Sequence, residues 1–139
     1  SNSEQHDRMV AKVRAAAGGS LAGRVIAAWG LAFKANTDDV RDSPAVAIVK
    51  ELIAEGASVR AYDPQARVSI PGLTQVASSL DACDGADALV VLTEWSEFVG
   101  ADLAGVKARL ARSEVVDTRN VLDRRAAAQA GLHLVGVGR

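Results

Sequence analysis

Three cations and one aromatic are placed where they could do chemistry: Lys34 beside Phe33, then Arg41, and far downstream Arg119. Lys34 is a point charge on a flexible stem, whereas Arg119 offers a planar fork that matches phosphate oxygens. Both stand in stretches too polar for a core, Phe33 to Ser43 and Asp117 to Asn120. Together they suit a diphosphate. A solvated lysine, and an arginine paired with a neighbouring carboxylate such as Asp117, are the plainer alternatives. Arg41 lies among Asp38, Asp39 and Asp42, where an internal ion pair could hold the loop. Asp38 and Asp39 are adjacent carboxylates that point apart, with no histidine beside them. They read as acceptors for loop N–H groups, and no metal site is expected. A third polar stretch, Thr93 to Phe98, carries Trp95 and Phe98, which could stack on a base but read more simply as packing over the sheet edge. His6 and His133 fall outside all three stretches, and Cys83 reads as a packed thiol.

The elements that must position these residues follow from pattern. Val25 to Trp29 is a short apolar run, β-branched at its start, and reads as a buried strand that Gly30 ends. Ser43-Pro44 supplies an N-cap and a first helical residue. A helix is expected from Pro44 to about Glu55, with Ala45, Ile48, Val49, Leu52 and Ile53 on one face. Gly56 stops it, and Ser58 to Tyr62 is a second strand ending at Asp63-Pro64. Residues 65–77 form a loop with room for a short strand, and Ser78 or Ser79 caps a short helix. Ala88 to Thr93 is a third strand, Asp102 starts a helix to about Ala111, Glu114 to Asp117 is a fourth strand, a helix runs through Ala130, and Leu132 to Val135 is the last strand. Strands alternating with helices imply parallel βαβ units. The expected fold is an α/β, doubly wound, open parallel sheet of about five strands with helices on both faces, Rossmann-like, in the order 2-1-3-4-5. The three polar stretches then leave the carboxyl ends of strands one, three and four, the edge where such sheets bind ligands.

The chain has 139 residues and a net charge of -1, so it forms one domain, and no electrostatic case exists for nucleic acid or an anionic membrane. No apolar run reaches a membrane span. A single cysteine fits a reducing cytoplasm. Ser1-Asn2-Ser3 looks like an expression scar, and Glu4 to Ala17 looks helical, with Met9, Val10 and Val13 apolar. Residues 1–20 are accordingly read as scar plus a helix that on its own would be frayed and loosely packed, and 21–139 as the ligand-binding domain. No G-x-G-x-x-G opens a helix after the first strand.

The stretch Gly30-Leu-Ala-Phe-Lys-Ala-Asn-Thr-Asp-Asp-Val-Arg-Asp-Ser-Pro44 resembles the signature of the C-terminal domain of the UDP-glucose/GDP-mannose dehydrogenase family, nearest its UDP-glucose branch. The resemblance continues through Ala61-Tyr-Asp-Pro64, Ala86-Asp-Ala88, Thr93-Glu-Trp95, Val116-Asp-Thr-Arg-Asn120 and Gly136-Val-Gly-Arg139. It departs at Thr118, often glycine in the family, and near Leu134, often aromatic. It implies a UDP-sugar-binding domain with Phe33, Lys34 and Arg119 at the substrate, and Arg41 reaching across a cleft to the pyrophosphate of NAD on a separate N-terminal domain. It also implies a homodimer whose long central helix ends in residues 1–20. Such enzymes oxidise the sugar C6 alcohol to a carboxylate in two NAD-dependent hydride transfers, through a cysteine-bound thiohemiacetal. The catalytic cysteine and its lysine have no counterpart here, so this chain alone is expected to be inactive. A GDP-mannose or UDP-N-acetyl-sugar dehydrogenase is the alternative within the family. A stand-alone phospho-receiver module is the alternative outside it. That reading fares worse, because an acidic pair directly after strand one is missing and strand three ends in Thr93 instead of an aspartate.

Overall fold

The computed structural model describes residues 2–138; Arg139, the last residue of the resemblance, lies outside them. A first helix, α1 (Asn2–Ala16), precedes the sheet. Then follow β1 (Val25–Trp29), α2 (Pro44–Ala54), β2 (Ser58–Tyr62), β3 (Leu73–Gln75), α3 (Ser79–Cys83), β4 (Ala88–Val91), α4 (Ser96–Val99), α5 (Leu103–Arg109), β5 (Glu114–Asp117), α6 (Arg124–Gln129) and β6 (His133–Val135). All strand pairs are parallel, in the order β3-β2-β1-β4-β5-β6. The five expected strands hold their expected order. The sixth, β3, adds an edge beside β2, so the topology is the six-stranded dinucleotide-binding order and not the five-stranded one. β3 has three residues and no buried position, so it carries no periodic signal of its own.

Winding runs outward from β1 in both directions, and this decides where the helices lie. Right-handed crossovers made toward β2 place α2 on one face, and those made toward β5 and β6 place helices on the other. The first face packs Ala28, Val59 and Ala61 under α2; the second packs Trp29, Leu89, Val91 and Val115 under α3, α5 and α6. This winding leaves the β4–β5 half of the first face without a crossover helix. α1 covers it, touching β4, β5 and α2. Val10 and Val13 are fully buried there with Ala88, Val90 and Val116. The helix is pinned at its end by a two-bond fork from Arg14 to Glu55, at 2.8 and 2.7 Å, and by Arg112 donating to the Ala16 carbonyl at 3.2 Å.

The exit from β1 is fixed by three contacts. Gly30 has φ +101°, and a Cβ placed there would lie 1.9 Å from Thr93 Oγ1, so β1 and β4 leave the sheet in close contact. Asp63, buried after β2, accepts Leu31 and Ala32 N–H on one oxygen and Gln65 and Ala66 N–H on the other, at 2.7 to 3.0 Å. Ser43 accepts Val46 N–H as the N-cap of α2, and its hydroxyl lies 2.8 Å from the Leu31 carbonyl. The loop that bears Lys34 is therefore anchored from β2 and from α2.

Candidate functional site

The exit loops of β1, β4 and β5 meet at the carboxyl edge of the sheet. Three residues with positive φ other than glycine occur among the described residues: Asn36, Asp42 and Asn120. All lie in these loops, and Asn and Asp tolerate this left-handed region best. Phe33 N–H donates to the Asp39 carbonyl at 2.7 Å, which closes the β1 loop and leaves Lys34 and Asn36 at its exposed tip. Lys34 has no hydrogen bond or ion pair among the described residues. Phe33 is 48% exposed, although it is a large apolar side chain. A cation without a counter-charge beside an uncovered aromatic is an arrangement that a ligand, not the fold, would complete.

Arg41 and Asp39 form an internal fork. Arg41 Nε and Nη2 lie 3.0 and 2.9 Å from the two Asp39 oxygens, and Arg41 N–H adds a bond of 2.9 Å. These bonds hold the Asp39 carboxyl down at about 2. The Arg41 side chain is 87% exposed even so, and the rest of its guanidinium is open to solvent. Phe33, Asp39, Arg41 and Asp42 line one hollow of about 280 Å³.

Arg119 is placed differently from the simple expectation. Its guanidinium does not pair with Asp117; Nη2 sits 2.7 Å from Glu94 Oε2. Asp117, buried at the end of β5, instead accepts Arg119 and Leu122 N–H at 3.1 and 2.8 Å and shapes the loop. The loop's other supports are Thr118, whose hydroxyl donates to the Val91 carbonyl at 2.6 Å, and Asn120, whose amide pairs twice with the Val137 backbone. Arg119 and Thr118 line a second hollow of about 250 Å³ with His6, Met9, Ala45 and Ile48. His6 thus reaches the site from α1, which no loop pattern reveals. The two hollows are separate. Phe33 and Arg41 share the first, Arg119 lines the second, and Lys34 lines neither.

The remaining aromatics pack. Phe98 is buried and stacks on Trp29 at 5.2 Å between ring centroids, with Tyr62 edge-on at 6.2 Å. Trp95 is buried in the same layer. Burial, then the bond to Glu97, pushes the Tyr62 phenol up to about 12. Burial also pushes the Cys83 thiol up to about 12, which makes it a poor nucleophile. Among the described residues, no three His, Cys, Asp or Glu side chains converge, and no helix is long and apolar enough to cross a membrane.

Six parallel strands in this order, with polar loops gathered at the carboxyl edge, define a doubly wound nucleotide-binding α/β domain. The family model of the UDP-glucose/GDP-mannose dehydrogenase family, UDP binding domain, matches residues 27–124, and the chain belongs to that family. It is 42% identical to the UDP-glucose 6-dehydrogenase of Rhizobium meliloti (strain 1021), over 99% of this chain and 32% of that protein. The UDP-glucose 6-dehydrogenase of Pseudomonas aeruginosa is 36% identical over 87% of this chain and 29% of its own length. Among solved structures, an NDP-N-acetyl-D-galactosaminuronic acid dehydrogenase from Methanosarcina mazei Go1 superposes with a TM-score of 0.85. It is 28% identical and covers 96% of this chain and 29% of that one. A UDP-glucose dehydrogenase from Pyrobaculum islandicum gives 0.74 at 29% identity, over 97% of this chain and 29% of that one. The chain therefore spans about a third of the length of these relatives.

Proposed function

We propose that this chain is the UDP-sugar-binding domain of an NAD-dependent UDP-glucose 6-dehydrogenase, which oxidises UDP-glucose to UDP-glucuronate. The observation that carries the reading is the unpaired Lys34 beside the exposed Phe33, on a loop anchored from two directions at the carboxyl edge. Lys34 and Arg119 hold the diphosphate, and Phe33 borders the nucleotide sugar. Arg41 belongs to the other half of the cleft. Asp39 orients its guanidinium, and the exposed remainder of the fork meets the NAD pyrophosphate carried on an N-terminal domain. NAD, when bound there, supplies the hydride acceptor. The role of this chain is to grip the nucleotide sugar and to close over the cofactor. The full enzyme is a homodimer in the cytoplasm, a compartment that suits the single reduced and buried Cys83. α1 (Asn2–Ala16) is the end of the helix that links this domain to the rest.

Calorimetric titration of the chain with UDP, UDP-glucose and GDP tests this. Binding of UDP and UDP-glucose with little response to GDP is expected, and no NADH should form when NAD and UDP-glucose are supplied to the chain alone. A preference for GDP would move the reading to a GDP-sugar enzyme of the same family. Binding of neither nucleotide would remove it.

A further inference from the structure

The three exit loops are joined by one side chain, Glu94. It lies three residues past the end of β4, so its backbone belongs to the middle loop. Its Oε1 accepts the N–H of Ala35, the residue after Lys34, at 3.2 Å. Its Oε2 has no directed hydrogen bond among the described residues and meets Arg119 Nη2 at 2.7 Å as an ion pair. Glu94 thus touches the Lys34 loop with one oxygen and the Arg119 loop with the other. Gly30 and Thr93, in close contact just beneath, fix where this carboxylate starts.

We propose that Glu94 is a positioning residue for the nucleotide diphosphate: it holds Arg119 and the Lys34 loop in register before the ligand arrives. This rests on the reading that Arg119 meets the diphosphate. A free arginine on a short loop samples many rotamers, and ordering it on binding lowers affinity. With one nitrogen held by Glu94, the other donors of the fork remain for phosphate oxygens, already oriented. The bond to Ala35 places the neighbouring Lys34 loop in the same frame. Glu94 touches no reacting atom in this scheme; it acts through Arg119.

The test is a double-mutant cycle read by UDP titration, together with the NMR signals of the Arg119 guanidinium. Glu94→Gln keeps an oxygen able to accept from Ala35 and removes the charge that pairs with Arg119. UDP binding is expected to weaken about five- to ten-fold in Glu94→Gln. The same change should have no further effect in an Arg119→Ala background, because a residue acting through Arg119 loses its role with it. In the unliganded chain, the guanidinium should show restricted rotation that averages out in Glu94→Gln. Tighter UDP binding in Glu94→Gln would overturn the proposal and make Glu94 a competing anion. An equal loss with and without Arg119, or identical guanidinium spectra in both proteins, would overturn it as well. If Arg119→Ala binds UDP like the unaltered chain, the diphosphate role of Arg119 falls and the proposal falls with it. The guanidinium spectra then report separately whether Glu94 orders the arginine.

Discussion

Lys34 carries a charge that no other described residue balances, so its removal should be felt in binding and not in folding. Charge-assisted hydrogen bonds contribute about 1.5–3 kcal/mol each. Lys34→Ala is expected to weaken UDP affinity about ten- to a hundred-fold with an unchanged melting temperature; an unchanged affinity removes Lys34 from the site. Arg41, unlike Lys34, has a partner within its own loop. Its bonds depress the Asp39 carboxyl from its ordinary value to about 2. A depressed folded-state pKa adds stability above the ordinary carboxylate range, and this stability is lost as pH falls toward 2. Arg41→Ala should raise Asp39 toward that ordinary range in an NMR titration, stopping short of it because the backbone N–H at position 41 still donates to the carboxylate, and should flatten this part of the acid dependence. The pair is highly exposed, so the melting temperature at neutral pH should move little. In the full enzyme, the same change should raise the KM for NAD about ten- to a hundred-fold and leave UDP binding intact. A lower melting temperature with an unmoved KM would make the fork purely structural.

Asp63 shows how an element terminus governs the site without joining it. Four N–H groups from two loops converge on this one buried carboxylate. Asp63→Asn turns an amide NH₂ toward N–H donors, and a loss of about 3 kcal/mol is expected, measured by urea unfolding. A loss below 1 kcal/mol would mean that the β1 exit holds without it. Legibility differed along the chain for reasons visible at this scale. β1 read directly as an apolar run that glycine ends, β2 as an alternating stretch that stops at Asp63-Pro64, and β5 as Val115-Val116 closed by Asp117. α2 read directly because Ser43 and Pro44 mark its start. α4 did not, because its N-cap is Trp95, which makes no side-chain capping bond. That Lys34, Arg41 and Arg119 lie in loops at the carboxyl edge was legible from residue type and the order of elements; the roles proposed for them came from the resemblance. The partner of Arg119 was not, because Glu94 arrives from another strand and only the pairing of β4 with β5 brings the two together.

For the molecule as a whole, α1 is part of the core and not an appendage. Deleting residues 2–16 uncovers Ala88, Val90 and Val116 on one face of β4 and β5. The shortened chain is expected to aggregate or to bind a hydrophobic dye such as ANS; a soluble, cooperatively melting product would show that the sheet can do without α1. The position of β1 at the centre of the sheet has a kinetic consequence. Its first edge is satisfied early by β2, but its second pairs Ile26 with Ala88, and Val25 N–H reaches Asp87 across 62 residues. During synthesis the strand therefore waits, one side unpaired, until β4 has emerged. Loop-closure entropy of this kind slows folding, toward the millisecond-to-second range of topologies rich in distant contacts. Fragments ending before β4 should be the aggregation-prone species on the ribosome, and the full chain should become protease-resistant only after β4 can dock.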